Sequence, residues 1–301
     1  RFGFKSRGLG DVYKRQTGAS RPTTVQVSVV IPTFNRCAVI GRALDSVLAQ
    51  EVSADEVIVV DDGSDDGTEE MVRHRYPSVH YIAQDQKGVS AARNKGALAA
   101  RGNWLAFLDS DDEWKPGKLR QQLLAAEDNP SYKVLHCEEI WFRHGVRVNP
   151  MRKHAKPEGW IFDHCLPRCC VSPSTVMLDR HLFLQSGGFD EALPACEDYD
   201  LWLRLFLHHP VYKVAEPLVT RYGGHSDQLS SKYWGMDRFR VKALVKLLEN
   251  ESLDADQRCK THAILGEKLG VLINGARKRG RMDAVREYQA IRDRWTRSGS
   301  P

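Results

Sequence analysis

No stretch of the 301-residue chain approaches the ~18–20 consecutive apolar residues that a membrane-crossing helix needs. Residues 1–20 hold no apolar segment of the kind that directs secretion. Paired cysteines are missing too. Cys37, Cys137, Cys165, Cys169, Cys170, Cys196 and Cys259 are odd in number and scattered, which argues against a disulfide framework and for a reducing, cytoplasmic setting. Cys165, Cys169 and Cys170 cluster, but without the second pair that zinc spacing requires. The chain has no internal repeat and no low-complexity tract. After its first apolar run it carries PTFNR, where a nucleotidyltransferase would need a Gly-rich basic loop for a triphosphate.

A uniform basic surface is also absent. The net charge is +5, but residues 1–24 carry six Lys/Arg against one Asp/Glu, and residues 236–301 carry fifteen against nine. Residues 25–235 hold 23 basic and 29 acidic side chains, a net of −6. This split disfavours a nucleic-acid binder. The basic C-terminal end suits a solvated helix face, and leaves open a peripheral contact with anionic lipid at the inner face of a membrane.

What is present is alternation. VQVSVVIP (25–32), DEVIVVD (55–61), VHYIAQ (79–84) and WLAFLD (104–109) read as short buried strands. Between them CAVIGRALDSVLAQ, TEEMVRHRY and GVSAARNKGALAA read as helices, the last with Ser90 as its cap. Four such alternations predict a parallel, doubly wound sheet with its ligand at the carboxyl ends of the strands. Further on, YKVLHCEEIWFR and VRV predict a hairpin through His144-Gly145. A short helix is expected around 180–186, an amphipathic helix over 197–209, and two short strands in VYKVAEPLVTRY. From about residue 235 the pattern is helical only.

The polar residues collect at the strand ends. Asp109 and Asp111, at positions i and i+2, can share a direction and offer hard oxygen ligands to Mg²⁺ or Mn²⁺. The alternative for DSDD is a solvated turn. Asp61 and Asp62 sit in a turn sequence, DDGSDDG, and can also accept hydrogen bonds from a base or ribose. Arg36, Lys87, Arg93 and Lys95 lie near the same edge. Glu197 and Asp198 open a helix, either as dipole-stabilised caps or as a general base.

In order, SVVIPTFNR, DEVIVVDDGSDDGT, KGVSAARNKGALAARGNWLAFLDSDDEWKPGKL and SGGFDEALPACEDYDLWLRL resemble the pattern of glycosyltransferase family 2 on the GT-A fold. The resemblance spans roughly residues 25–232. It implies inverting, non-processive transfer of a sugar from a nucleoside-diphosphate donor, UDP first and dTDP or GDP next, with a divalent metal. It implies that Pro32, Thr33, Asn35, Arg36, Asp61, Asp62, Arg93 and Asp109 hold the nucleotide. Asp109 and Asp111 would form the Asp-x-Asp metal site, with His225 as a further ligand. Asp198 would be the catalytic base, with Glu197 as the fallback, and Trp202 and Arg204 match the family's continuation of that helix. The acceptor would be a glycan or lipid-linked hydroxyl in cell-surface polysaccharide synthesis. A Gln-x-x-Arg-Trp sequence, which processive members carry, is absent. The expected organisation is a disordered or non-native tail over 1–24, similar to translated adapter sequence, a GT-A domain over 25–232, and a helical module over 233–301. The competing readings are a non-catalytic nucleotide-sugar-binding scaffold, which would bind donor without transfer, and the nucleotidyltransferase disfavoured above.

Overall fold

The computed structural model describes residues 26–148, 155–224, 233 and 235–296. The expected tail over 1–24 and the candidate ligand His225 lie outside the described residues. β1 (Val27–Thr33), β2 (Glu56–Asp61), β3 (His80–Ala83) and β4 (Trp104–Phe107) alternate with α1 (Ile40–Leu48), α2 (Thr68–Arg75) and α3 (Val89–Ala99). β1 is buried at all seven positions, as a strand covered on both faces must be. It pairs in parallel with β2 on one side and β4 on the other. The chain thus winds outward to β3 and then returns across β1. That reversal opens a crevice at the carboxyl ends of β1 and β4.

Beyond β4 the sheet becomes mixed. β5 (Glu113–Trp114) and α4 (Lys118–Asp128) precede β6 (Val134–Arg143) and β7 (Val146–Val148), which form the expected hairpin through His144-Gly145. α5 (Phe162–Cys165), β8 (Met177–Asp179), α6 (Arg180–Gln185), α7 (Glu197–Phe206) and β9 (Val211–Gly223) follow. The sheet order is β3-β2-β1-β4-β8-β6-β9-β5, with β7 on β6. Instead of two short strands, residues 211–223 form one, β9. Pro217, which lacks an amide proton, falls opposite Glu138, where the β6–β9 register shifts on both sides, so the irregularity accommodates it without breaking the strand. The helical end is α8 (Asp237–Asn250), α9 (Ala255–Lys278) and α10 (Met282–Thr296), with a capping box of Asp254 and Gln257 starting α9.

Each face of the sheet has its own apolar layer. Val29 and Ile31 point to one, with Ile40, Leu44, Trp114 and Leu119. Val30 points to the other, which runs through Phe107, Phe189 and Trp202 into Leu244, Leu265 and Ile273 of the C-terminal helices. No helix among the described residues is long and apolar enough to cross a membrane.

Candidate active site

A cleft of about 1170 Å³ lies at the switch point. It is large enough for a dinucleotide-sized ligand, since small-molecule pockets run to about 1,000 Å³. Its walls come from the end of β1, the start of α3, the turn after β4, and the start of α7.

The segment after β4 is a closed turn, and it also leaves carboxylates on the cleft wall. The amide of Asp112 donates to the Asp109 carbonyl at 3.0 Å, which closes the turn. Ser174 Oγ accepts from the Asp109 amide at 3.1 Å and donates to Asp112 Oδ2 at 2.6 Å. Asp112 is thereby an interior brace, its carboxyl pushed up to about 8 by burial and by the neighbouring aspartates, against the pull of Arg221. Asp109 and Asp111 are left half-buried in the cleft wall. Burial, and then the Asp109 charge, push the Asp111 carboxyl up, against the pull of Arg36 and Arg221. Two converging carboxylates at unfavourable electrostatic cost are what a hard divalent cation relieves. No group of three His, Cys, Asp or Glu among the described residues could by itself hold a metal. A Mg²⁺-type site does not need one, because one or two carboxylates plus substrate phosphates suffice. The donor set fits.

The β1 end brings Pro32, Thr33, Asn35 and Arg36 to the cleft. Thr33 is 4% exposed and its hydroxyl has no partner among the described residues, so it has a hydrogen bond to offer a ligand. Asn35 takes a positive φ of 51°. Its amide donates to Ser64 Oγ at 2.8 Å and its side-chain oxygen accepts from the Asp65 amide at 2.9 Å. These bonds dock the β1 loop on the β2 loop. Ser90, expected as a cap, is inside α3 instead. Gly88, at φ 97°, occupies the cap position, and the Ser90 hydroxyl is buried in the cleft wall without a partner among the described residues.

Asp61 and Asp62 divide. Asp62 lines the cleft and accepts from Gln84 Nε2 (2.7 Å), the Lys87 amide (2.8 Å) and the Gly88 amide (2.8 Å), so it shapes the loop that enters α3. Asp61 does not line the cleft. It accepts from the Ser64 amide at 2.8 Å and from the Tyr81 hydroxyl beneath the loop. Lys95 likewise turns away, to the Ala83 carbonyl at 2.9 Å.

Arg93 is 3% exposed. Its Nη2 donates to Asp109 Oδ1 and its Nη1 to Glu197 Oε1, each at 2.7 Å. The guanidinium therefore joins the β4 turn to α7. Glu197 is 6% exposed and committed to this pair, and burial pushes its carboxyl up despite the arginine. Asp198, next along, is only half-buried and lines the cleft. Its Oδ1 accepts from the Tyr199 amide at 2.7 Å. Trp202 and Arg204 do not reach the cleft. Trp202 Nε1 donates to the Val171 carbonyl at 2.9 Å. Arg204 pairs with Asp200 at 2.9 Å and donates to the Ser186 and Gly188 carbonyls, fixing the turn before α7.

Two features, one in the cleft wall and one behind it, were not visible as motifs. Arg221 lies 3.7 Å from both Asp112 and Glu139, and brings a cation from β9 beside the aspartate turn. Cys169 donates its thiol to Asp198 Oδ2 at 3.4 Å. Neither has a sequence signal beyond residue type.

The chain matches the profile of Glycosyl transferase family 2 over residues 28–163 and that of Glycosyltransferase like family 2 over 165–251. An uncharacterized glycosyltransferase of Haemophilus influenzae is 30% identical over 200 residues, covering 64% of this chain and 67% of that protein. A Bacillus subtilis protein carrying the name teichuronic acid biosynthesis glycosyltransferase TuaG is 30% identical over 214 residues, covering 69% of this chain and 82% of that one. Other relatives are longer: the match spans 35% of an uncharacterized glycosyltransferase from Rickettsia conorii. Among solved structures, TarS of S. aureus in complex with UDP-GlcNAc superposes with a TM-score of 0.61 at 16% identity, over 91% of this chain and 92% of that one. A mannosyltransferase of Pyrobaculum calidifontis, in complex with GDP-Man and Mn²⁺, superposes with a TM-score of 0.56 at 17% identity, over 88% and 79%. The fold is that of the GT-A glycosyltransferases. The chain belongs to glycosyltransferase family 2 and is a glycosyltransferase.

Proposed function

We propose that the chain transfers a sugar, with inversion, from a nucleoside-diphosphate sugar to a hydroxyl of a glycan or lipid-linked acceptor in cell-surface polysaccharide synthesis. One observation carries this reading. A single cleft holds a half-buried carboxylate pair, Asp109 and Asp111, and also a further carboxylate, Asp198, from the other half of the fold. The first pair suits a metal–diphosphate, and the last suits a base for the acceptor. The name of the TuaG relative supports the cell-surface setting. A UDP-sugar is the donor of choice, with dTDP- and GDP-sugars as the alternatives.

Thr33, Asn35 and Arg36, at the edge set by Pro32, take the nucleotide. Asp62 shapes the loop beside it, and Asp61 supports that loop from below through Ser64 and Tyr81. Asp109 and Asp111, with His225 as a further candidate, would hold Mn²⁺ or Mg²⁺. When bound, that ion offsets the charge developing on the diphosphate leaving group. Arg93 serves the donor through Asp109, whose oxygen it fixes, rather than by direct contact.

Asp198 takes the proton of the acceptor hydroxyl as that oxygen attacks the anomeric carbon. The bond from that carbon to the diphosphate oxygen breaks on the opposite face, and its electron pair leaves with the diphosphate. One displacement gives inversion. Glu197, tied to Arg93, is the less suitable base. Residues 25–232 carry this chemistry, and 233–301 form the appended helical module. Its exposed turn of Arg277, Lys278, Arg279 and Arg281 suits anionic lipid at the inner membrane face, where a lipid-linked acceptor would lie.

Incubation with UDP-, dTDP- and GDP-sugars and Mn²⁺, reading sugar release, tests the reading. The expected result is metal-dependent turnover of one donor, lost in Asp198→Asn while donor binding persists. Donor binding with no turnover in the wild type would favour the scaffold alternative.

A further inference from the structure

We propose that Cys169 is a positioning residue for Asp198, its thiol holding Oδ2 so that the carboxylate presents a fixed face to the acceptor hydroxyl. The proposal rests on the reading of Asp198 as the base.

Both oxygens of Asp198 are engaged from behind. The Tyr199 amide donates to Oδ1 at 2.7 Å, and the Cys169 thiol lies 3.4 Å from Oδ2. The thiol is not on a loose loop. The Tyr199 hydroxyl donates to the Leu166 carbonyl at 2.6 Å, Trp202 Nε1 to the Val171 carbonyl at 2.9 Å, and Lys268 Nζ to the Pro167 carbonyl at 2.9 Å. Three anchors, two of them on the helix that carries Asp198, set the 166–171 backbone against that helix. An orientation fixed this way is what a base needs, since misplacement by about 1 Å costs rate steeply.

The same thiol lies 3.2 Å from the Val171 carbonyl oxygen. It has one proton and two acceptors. A charged acceptor draws the stronger bond, so the proton serves Oδ2 while Asp198 is ionised. Once Asp198 has taken the acceptor's proton, the thiol can turn to Val171. No buried donor is left unpaired in either state. The thiol stays protonated, because burial and then the Asp198 charge push it well above the ordinary range.

Among the described residues the other titratable groups nearby are otherwise committed, the Cys170 thiol to the His164 carbonyl at 3.0 Å. Glu197 is paired with Arg93. Cys196 Sγ lies 3.7 Å from the Met236 carbonyl. Arg240 and Asp237, brought in by α8, pair with each other at 2.9 Å. Cys169 is therefore the side chain whose removal changes the Asp198 carboxylate most directly. Losing a donor disfavours the ionised carboxylate that has to take the acceptor's proton.

The test measures kcat, KM for the donor and the pH profile of kcat/KM in wild type, Cys169→Ala, the volume-matched Cys169→Val, Cys169→Ser and Asp198→Asn. For the first two variants, kcat should fall about tenfold with donor KM within about twofold, and the acidic limb should move to higher pH. Cys169→Ser, which keeps a donor, should restore most of both. If Cys169→Ala does not fold, Cys169→Val supplies the same comparison. Wild-type kcat and limb in these variants, with Asp198→Asn inactive, overturn the thiol's role and leave the base assignment standing. An active Asp198→Asn overturns the base assignment and the proposal together.

Discussion

Arg93 and Glu197, 104 residues apart in the chain, meet at 2.7 Å in the wall of the cleft. The same guanidinium reaches Asp109, so one buried cation joins the turn after β4 to the helix that carries Asp198. Its ring neighbour, Phe189, lies 5.1 Å away and keeps water from its face. The two halves of the site are held at a fixed separation by charge pairing, and not by packing alone.

Breaking that junction leaves two carboxylates without their cation. Removing one partner of a buried ion pair typically costs about 3–5 kcal/mol. Arg93→Met should lower unfolding stability by that order in a denaturant titration. Arg93→Met/Glu197→Gln should recover part of it, because Gln removes one of the stranded charges. A single variant within about 0.5 kcal/mol of wild type would show that the pair is not buried as described.

Gly96 tests how closely α3 lies on β1. A Cβ there would overlap Val30 Cγ1 and crowd Val60 Cγ2 at 3.2 Å. Helix propensity alone predicts that Gly96→Ala stabilises by about 1 kcal/mol. Overpacking predicts a loss of about 1–3 kcal/mol. The structure makes the second effect larger, because the clash is with two core side chains of the central strands. Thermal unfolding of Gly96→Ala should show a lower Tm, and the sign alone decides.

Lys118 gives stability a basic-side pH dependence. Its side chain is fully buried, bonded to Gln122 Oε1 at 2.7 Å and set over Trp114 at 3.8 Å, with no carboxylate partner among the described residues. Burial pulls its ammonium down to about 8. The unfolded chain holds this proton up to about pH 10.4. Between those values the unfolded state binds more protons, so folding stability rises with pH there. The cost of burying the charge is full below about pH 8 and falls away above it. From pH 7 to 10 wild type should gain roughly 2–3 kcal/mol relative to Lys118→Met. Parallel pH curves for the two proteins would contradict this.

The first half of the sheet was legible because its strands lie in short runs rich in β-branched, aromatic and other apolar residues that alternate with helical stretches. β5 and β8, of two and three residues, are too short to form such a run. β9 reads as two strands in the sequence, and Pro217, a strand breaker in isolation, lies between its halves. Only the pairing with β6 reveals that it falls where no ladder bond is needed. The carboxylates of the site were legible as clusters at strand and helix ends. Their division of labour was not. Nothing local distinguishes Asp112, buried and braced by Ser174, from Asp111, half-buried beside it in the same wall. Nothing local tells Arg93 that its partners are Asp109 and Glu197, or Asp198 that a thiol stands behind it. Those facts belong to tertiary contacts between residues 16 to 104 positions apart.

The central claim is that Asp109 and Asp111 form a metal–diphosphate site within the donor cleft. The most direct measurement is calorimetric binding of UDP, with and without Mn²⁺, to wild type and to Asp111→Asn. The account predicts tight binding to wild type only when Mn²⁺ is present, and loss of that metal dependence in the variant. UDP, dTDP and GDP each binding equally well with and without metal, in both proteins, would contradict it.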